Sequence, residues 1–249
     1  MAELRRLLIS PERLGDAMAP LALDPQERRY LERVLRLRPG ARFAISDGAG
    51  RLYEASLQEQ GMAAIETLSQ QFPAEQPQLV LLQGLMRRDL EITLRMATEL
   101  GVDRIVPLKA DRSVLTPREQ RHERWRSQLR EATEQCERLW LPQLDDVQSA
   151  VQALSNPAPS GGQRWIGVTR DSGAIPLQDA MAQACSDDRC WQIACGPEGG
   201  WSPEELKAAE GHGWKAVSLG PTILRASTAA VAALSLLQHQ RHCLNPSGH

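Results

Sequence analysis

The sequence predicts an α/β protein with two domains, a small β-rich domain over residues 1–72 and a larger domain over residues 73–249. In the first part, short apolar runs are separated by Pro-Gly, Asp-Gly and Gln-Gly pairs, which are typical of turns between antiparallel strands. In the second part, apolar runs alternate with longer helical patterns, which is typical of a mostly parallel sheet covered by helices. The stretch "QFPAEQPQ", Gln71–Gln78, separates the two patterns with two prolines. At 249 residues and 42% hydrophobic content, the chain can bury a sizeable core.

The first domain combines short strands with one helix. Asp47-Gly48 lies between two alternating runs and predicts a tight hairpin. Asp24-Pro25-Gln26-Glu27 places an N-cap residue before a proline, with glutamate at the third helical position, so a helix is expected to begin there. This helix is expected to carry the arginine-rich stretch Arg28–Arg42. The predicted strands are "RRLLI", "RFAISDG", "RLYEASLQ" and "MAAIETLSQ".

The second domain alternates strands and helices. Its predicted strands are "LVLLQ", "RIVPL", "WIGVT", "WQIAC" and "AVSL". Its predicted helices are "RRDLEITLRMATEL", ended by Gly101, and three more that begin at Thr116-Pro117, at Ser202-Pro203 and after Arg225. The stretch "SNPAPSGGQ" predicts a surface loop.

Basic charge is concentrated in one stretch of the chain. The formal net charge is −2, so a nucleic-acid partner has to be inferred from local charge. Arg28–Arg42 contains six arginines and one glutamate. A general preference for arginine over lysine accounts for part of this excess, but it does not account for the clustering.

Cysteine usage and hydropathy exclude other classes of protein. The five cysteines include no C-x-x-C pair and no histidine at zinc-ligand spacing, so we expect reduced thiols and no metal site. No apolar run approaches the roughly 20 residues that span a bilayer, and the first residues lack the apolar core of a signal peptide. We therefore expect a cytoplasmic protein that does not bind a membrane.

Two strand-turn-helix stretches are the best candidates for a ligand site. "CGPEGGWSPEEL", Cys195–Leu206, and "LGPTILRASTAAVAAL", Leu219–Leu234, both pass through a Gly-Pro turn after a predicted strand. Glycines let a ligand approach the backbone closely. Each stretch also has a purely structural interpretation, as a capped helix start at Ser202 and as a buried helix of small residues. Together they favour a pocket built from backbone groups.

Several common catalytic signatures are missing. The sequence has no G-x-G-x-x-G, no G-x-x-x-x-G-K-[ST], no G-x-S-x-G and no H-E-x-x-H. These absences weaken dinucleotide, nucleotide triphosphate, hydrolase and metalloprotease interpretations.

The paired motifs "GPEGGWSPEE" and "LGPTILRASTAAVAAL" resemble those of the SPOUT class of RNA methyltransferases, and specifically the RsmE family. The resemblance extends over most of the chain, through "VLRLRPGARFAISDGAG", "ATELGVDRIVPL" and "EATEQCERLWLP". Ile223-Leu224-Arg225 occupies the region where ribose-methylating SPOUT enzymes carry Ser-Leu-Asn. The chain departs from the family pattern at Leu7, Tyr30 and Ser227 and near Arg87.

The resemblance implies a fold, a cofactor and partners. It implies a C-terminal SPOUT α/β domain with a deep trefoil knot, an N-terminal PUA-like β-barrel domain that binds RNA, and a homodimer formed through the knot. It implies methylation of uridine N3 in 16S ribosomal RNA within the assembled small ribosomal subunit, with S-adenosylmethionine as cofactor and no DNA partner. The implied cofactor contacts are Gly196, Pro197, Glu198, Gly199, Gly200, Leu219, Gly220, Leu224, Arg225 and Thr228.

Methylation of uracil N3 requires removal of its proton and stabilisation of the resulting anion. Arg225 and Arg138 are candidate anion stabilisers or phosphate clamps, and Glu134 is a candidate base. Glu134 and Arg138 could equally form an i, i+4 helix pair. Candidate RNA-phosphate contacts are Arg6, Arg33, Arg36 and Arg38, for which a solvated helix face is the alternative.

Two other functions remain open from the sequence. One is a SPOUT methyltransferase with a different RNA target, and the other is a non-catalytic RNA-binding assembly factor that retains the knot. Binding of S-adenosylmethionine and the identity of the methylated nucleoside distinguish the three.

Overall fold

The computed structural model describes residues 4–15, 19–114, 119–171, 173–182 and 188–245. The chain forms two compact units. The first contains Met1–Ala74 and Thr133–Leu141, and the second contains Glu75–Ala132 and Pro142–His249. No feature of the sequence predicts that Thr133–Leu141 belongs to the first unit.

The first unit is built on a five-stranded sheet with the strand order β1-β3-β4-β5-β2. Its strands are β1 (Arg6–Leu8), β2 (Leu21–Ala22), β3 (Arg42–Ser46), β4 (Arg51–Leu57) and β5 (Met62–Gln71), with the short helix α1 (Pro11–Leu14) after β1. β1 and β3 are parallel and the other pairs are antiparallel. This sheet is the half-barrel of the expected PUA-like domain, and its short edge strands β1 and β2 pair with β3 and β5.

The Asp47-Gly48 hairpin forms as predicted. Antiparallel pairing of β3 and β4 runs up to Ser46 and Leu52. The Asp47 carboxylate accepts hydrogen bonds from the backbone N–H groups of Ala49 and Arg51, at 2.7 and 2.9 Å. The turn is thereby fixed by its own side chain.

The helix predicted at Asp24 begins as expected but is shorter. Helix α2 spans Pro25–Arg29, and the Asp24 and Glu27 side chains form the predicted capping box. A π-helical turn continues it over Tyr30–Val34, where Leu31 is fully buried. Arg36 then has a φ of +55°, so the helix has ended. The expectation that the helix carries the whole arginine stretch is therefore wrong beyond residue 34.

The second unit contains a parallel sheet, as the alternating pattern predicts. Its strand order is β11-β13-β10-β12-β6-β7-β8, with β9 also paired to β7. Its strands are β6 (Gln78–Gly84), β7 (Arg104–Lys109), β8 (Gln143–Leu144), β9 (Gln148–Ser149), β10 (Gly162–Gly167), β11 (Ile175–Pro176), β12 (Cys190–Cys195) and β13 (Lys215–Ser218). Its helices are α3 (Leu90–Glu99), α4 (Glu119–Gln135, ending in the first unit), α5 (Ala150–Ser155), α6 (Leu177–Met181), α7 (Pro203–Gly211) and α8 (Ala226–Leu244).

Helix α3 starts three residues later than its sequence pattern predicts. Helix α3 begins at Leu90 rather than at Arg87, because Asp89 at its N-cap has a left-handed φ of +64°. The predicted start at Thr116-Pro117 lies outside the described residues, as does Cys185. The other four cysteines are free thiols.

Helices cover both faces of the parallel sheet. Val80 and Leu82 of β6 face a core cluster that includes Leu154 of α5 and Ala209 of α7. Side chains alternate along a strand, so the neighbouring residues of β6 face the opposite side, where α8 packs on β6, β12 and α3. The chain thus returns from β13 near the edge of the sheet to α8 over its centre.

A buried arginine fixes the end of α8. Arg241 is 2% exposed, and its guanidinium contacts Asp103 at 2.6 Å and Glu75 at 2.7 Å. It also donates to the Gly101 carbonyl at 2.9 Å. These contacts stabilise α8 against the amino ends of β6 and β7.

No helix in the described part of the chain is both long and apolar enough to cross a membrane.

Candidate active site

The candidate active site lies beyond the carboxyl ends of the parallel strands in the second unit. In open α/β sheets, ligands bind at this edge. The turn Gly196–Gly200 follows β12, and the turn Leu219–Arg225 follows β13. Strand β10 pairs with both β12 and β13, so the two turns flank its end.

Gly167, the last residue of β10, is next to both turns. The indole N–H of Trp201, just after the first turn, donates to the Gly167 carbonyl at 3.0 Å. Leu219, which begins the second turn, has its Cδ1 3.9 Å from the position of a Cβ on Gly167. The structure therefore brings the two sequence motifs together around one residue that the sequence did not single out.

The loop after β6 packs directly under the first turn. A Cβ on Gly84 would lie 2.5 Å from Pro197 N and 2.8 Å from Gly196 C, so only glycine fits there. Beyond it, the backbone N–H of Arg87 donates to Glu198 Oε1 at 3.0 Å. The Glu198 side chain thus fixes two loops of the site to each other.

The loop after β7 fixes the same turn from its other side. Arg112 Nη1 donates to the Gly199 carbonyl at 3.2 Å. A Cβ on Gly199 would lie 2.7 Å from Arg112 Cβ, so the two segments are in close contact. Sequence reasoning missed Arg112, although its position after the predicted strand "RIVPL" was a usable signal.

Glu205 stabilises the start of α7 behind the first turn. Its side chain is fully buried and completes the predicted capping box with Ser202. The carboxylate accepts from the N–H of Ser202 at 2.7 Å and from the N–H of Asp111 at 2.8 Å. The Ser202 hydroxyl also donates to Asp111 Oδ2 at 2.6 Å. One capping box therefore connects the helix to a distant strand end.

Two buried side chains lie beneath the turn. Gln83 is fully buried, and its amide nitrogen donates to the carbonyls of Gly84 at 3.1 Å and Cys195 at 3.4 Å. Its Oε1 has no hydrogen-bond partner among the described residues. Burial raises the pKa of the Cys195 thiol to about 12, so this thiol is neutral and unsuited to act as a nucleophile.

The second turn combines half-buried leucines with exposed polar residues. Gly220 has a φ of +136°, and Leu219 and Leu224 are half-buried. Arg225 is exposed at the N-cap of α8 and forms no ion pair with a described residue. Thr228 is exposed in the first turn of α8. A positive side chain at a helix N-terminus is unfavourable next to the helix dipole, and this favours an external anion as its partner.

These residues fit S-adenosylmethionine. A ligand can approach the backbone of both turns closely, because no atom lies within 4 Å of a Cβ built on Gly200 or Gly220. The half-buried Leu219 and Leu224 add apolar surface for the flat faces of a purine.

The other two catalytic candidates belong to the first unit. Glu134 Oε1 accepts from the backbone N–H of Leu8 at 2.7 Å. Helix α4 ends at Gln135 and Glu137 has a φ of +63°, so Arg138 lies outside the helix. The two residues therefore do not lie one turn apart on a continuous helix. Their part in the chemistry stays a prediction.

The four candidate RNA contacts differ in their surroundings. Arg6 forms an ion pair with Glu137 at 2.9 Å, so its charge is matched inside the first unit. Arg33, Arg36 and Arg38 are exposed. Of these four arginines, one is therefore paired with a residue of its own unit and three face solvent.

Comparisons with known proteins agree with this architecture. Residues 74–238 match the RNA methyltransferase domain family, and residues 23–61 match the RNA methyltransferase PUA domain family. Ribosomal RNA small subunit methyltransferase E from Synechocystis sp. is 34% identical over 233 residues, which cover 92% of this chain and 76% of that protein.

Two solved structures are similar over nearly the whole chain. Ribosomal RNA small subunit methyltransferase E from Neisseria gonorrhoeae, bound to S-adenosyl methionine, is 28% identical with a TM-score of 0.81, and covers 95% of this chain and 98% of its own. A methyltransferase from Legionella pneumophila in complex with S-adenosylmethionine is 25% identical with a TM-score of 0.84, and covers 96% and 98%. The predicted fold class and cofactor are confirmed. The chain belongs to the RNA methyltransferase family that contains ribosomal RNA small subunit methyltransferase E, as its paired turn motifs indicated.

Proposed function

We propose that this chain transfers the methyl group of S-adenosylmethionine to N3 of a uridine in the 16S ribosomal RNA of the small ribosomal subunit. The observation that carries the proposal is the meeting of two backbone-rich turns around Gly167, beyond the carboxyl edge of the parallel sheet. Family membership supports the reaction class. The names of the relatives support small-subunit RNA as the substrate.

The two turns would hold the cofactor, which supplies a methyl carbon bonded to a positively charged sulfur. The residues proposed to contact it are Gly196, Pro197, Glu198, Gly199, Gly200, Leu219, Gly220, Leu224, Arg225 and Thr228. Their rigidity orients the acceptor base and excludes water, which are the main requirements of an in-line displacement. The contacts that Glu198 and Gly199 make with the loops after β6 and β7 supply this rigidity.

Arg225 is the proposed stabiliser of the uracil anion. N3 of neutral uracil carries a proton, and this proton must leave before or during attack. Arg225 forms no ion pair within the described part of the chain, and at the N-terminus of α8 it places a guanidinium and a helix dipole where negative charge develops. We retain Glu134 as a candidate base and Arg138 as a candidate phosphate clamp.

The first unit is proposed to bind the RNA. Arg33, Arg36 and Arg38 are exposed and can contact phosphates without reading sequence. Since N3 is hidden in a base pair, the target uridine must be turned out of its stack to reach the site.

We further propose a homodimer in the cytoplasm. Two apolar side chains near the knot are exposed, Ile223 at 60% and Leu236 at 36%, and a second copy would bury them. Sedimentation equilibrium is expected to give twice the chain mass, and a monomer mass would contradict this proposal.

The reaction is tested by product analysis. The purified chain is incubated with methyl-labelled S-adenosylmethionine and small subunits that lack their native methyl groups, and the RNA is digested to nucleosides. Label in 3-methyluridine is expected. Label in another nucleoside would mean that the enzyme methylates a different target. No label despite cofactor binding would favour an RNA-binding factor without this activity.

The role of Arg225 is tested separately. Arg225→Ala is expected to abolish methyl transfer while the dissociation constant for S-adenosylmethionine changes only a few-fold, roughly as for loss of one hydrogen bond, because the guanidinium is the proposed partner of the base and Arg225 is one of many proposed cofactor contacts. Arg225→Lys keeps the charge and is the matched control, with partial activity expected. A parallel loss of cofactor affinity and activity in Arg225→Ala would contradict this role.

A further inference from the structure

Gln83 is a polar side chain at the centre of an apolar sheet. It is the next-to-last residue of β6 and pairs in register with Cys195 of β12 and Pro107 of β7, so strands flank it on both sides. Leu79 and Leu81 precede it on the same face of the strand, and all three side chains are fully buried. An amide in such a place costs free energy unless its polar atoms form hydrogen bonds. A leucine would continue the apolar row without this cost.

The amide nitrogen of Gln83 connects two strand ends. It donates to the Gly84 carbonyl at 3.1 Å and to the Cys195 carbonyl at 3.4 Å. The Cys195 carbonyl belongs to the peptide group that also contains the N–H of Gly196, the first residue of the turn after β12. Because a trans peptide group is planar, its C=O and N–H point in opposite directions. The contact with Gln83 therefore fixes the direction of the Gly196 N–H, which points away from Gln83.

The amide oxygen of Gln83 has no hydrogen-bond partner in the described part of the chain. It is also buried out of contact with solvent, so bulk water does not reach it. A buried acceptor without a donor destabilises a fold. Natural proteins retain such atoms mainly where function uses them. We therefore expect a ligand to supply the missing donor.

The unpartnered oxygen lies near the edge of the sheet where the cofactor is proposed to bind. Val80 and Leu82 face α5 and α7, so Gln83 faces α8. Helix α8 runs opposite to β6, since Arg241 near its end contacts the amino ends of β6 and β7, whereas Arg225 precedes its start. Helix α8 therefore begins at the carboxyl edge, on the face that Gln83 occupies. One buried amide thus lies beneath the first turn and on the same face as the helix that follows the second turn.

We propose that Gln83 positions S-adenosylmethionine. Its amide nitrogen holds the Cys195–Gly196 peptide in the conformation that the cofactor binds, and its oxygen accepts a hydrogen bond from an N–H or O–H group of the bound cofactor. Cofactor binding thereby supplies the donor that the described chain does not. The inference deepens the proposed function and rests on its placement of the cofactor on the turn after β12. It assigns a role to a strand residue outside both turn motifs.

The test compares Gln83→Met with the wild-type chain in the absence of RNA. Methionine has a similar length and removes both polar atoms. Titration calorimetry is expected to give a roughly tenfold larger Kd for S-adenosylmethionine, as for the loss of one or two hydrogen bonds. The melting temperature of the cofactor-free chain is expected to stay within about 2 °C of wild type or to rise, because the unpartnered oxygen is lost together with the two donor contacts. A purely structural amide would give the opposite result, a lower melting temperature with unchanged affinity.

Leu81→Met is the matched control. It changes a fully buried side chain two residues earlier on the same face of β6 and removes no polar group. Its packing cost is small, so the Kd for the cofactor is expected to stay within about twofold of wild type. Wild-type cofactor affinity in Gln83→Met, or an equal loss of affinity in Leu81→Met, would overturn the inference. A fall in melting temperature larger in Gln83→Met than in Leu81→Met would overturn it as well.

The binding measurement is independent of the proposed reaction. If the wild-type chain binds S-adenosylmethionine but labels no uridine, the proposed reaction fails, and the comparison of Gln83→Met with Leu81→Met still decides the role of Gln83. If the wild-type chain binds no S-adenosylmethionine, the inference about Gln83 fails.

Discussion

Gly84→Ala is the substitution that best tests the close packing beneath the candidate active site. Gly84 ends β6 and is fully buried under the turn after β12. The added methyl carbon would lie 2.5 Å from Pro197 N, 2.6 Å from Pro197 Cδ and 2.8 Å from Gly196 C. All three atoms belong to the backbone or to a proline ring, so no flexible side chain can move aside.

The size of the effect follows from these distances. Ordinary contact begins at 3.4 Å, so strand and turn must separate by about 0.9 Å. Overpacking of a buried site costs about 1–3 kcal/mol. The displaced atoms belong to Gly196 and Pro197, which are proposed cofactor contacts. Loss of one or two hydrogen bonds, about 1 kcal/mol each, corresponds to a roughly tenfold weaker affinity for S-adenosylmethionine.

Two measurements check this prediction. Urea denaturation gives the free energy of unfolding, and titration calorimetry gives the dissociation constant for S-adenosylmethionine. Gly211→Ala is the matched control, since a Cβ on Gly211 at the end of α7 meets no atom within 4 Å. It is expected to change stability by less than about 1 kcal/mol. Wild-type stability and wild-type cofactor affinity in Gly84→Ala would refute the packing argument.

Three further predictions concern stability. Glu205→Gln is expected to lower the unfolding free energy by about 2–3 kcal/mol. The glutamine side chain has one oxygen and one NH₂, so the NH₂ would face the N–H of either Ser202 or Asp111 and leave that buried donor without an acceptor. An unchanged urea midpoint would contradict this. Arg241→Met should cost about 3–5 kcal/mol by leaving Asp103 without its buried partner, whereas Arg241→Lys costs less; equal losses would contradict it. Burial raises the pKa of Cys190 to about 11 and of Cys195 to about 12. The contribution of these two thiols to the unfolding free energy should therefore be constant below about pH 8.5, where unfolded thiols begin to ionise, and should fall as pH rises toward those values. A pH-independent melting temperature from pH 7 to pH 10 would contradict it.

Local features of the structure were predictable because their partners are close in sequence. The capping boxes at Asp24 and Ser202 and the hairpin at Asp47-Gly48 depend on side chains and backbone groups within three or four residues. The parallel sheet followed from the alternation of apolar runs with helical patterns. The family followed from two motifs that each occupy one short stretch.

Helical continuation is predicted wrongly at two points of the chain. The arginine stretch was expected to remain helical, yet a π-helical turn and a left-handed Arg36 end the helix after residue 34. Glu134 and Arg138 were considered as a helical pair, yet α4 ends between them. Both breaks involve left-handed φ values, +55° at Arg36 and +63° at Glu137, which arginine and glutamate rarely adopt.

The sequence by itself determined which segments become strands, turns and capped helices, because short-range hydrogen bonds and backbone preferences decide those. The tertiary structure alone decided which distant groups meet: Gly84 under Pro197, Gly167 beside both turns, and Asp111 on Glu205. Residue types determine which groups can donate or accept a hydrogen bond and which backbone segments can approach each other closely. Only the folded chain selects the partner, because that choice depends on strand order and on atoms brought together from far apart in the sequence.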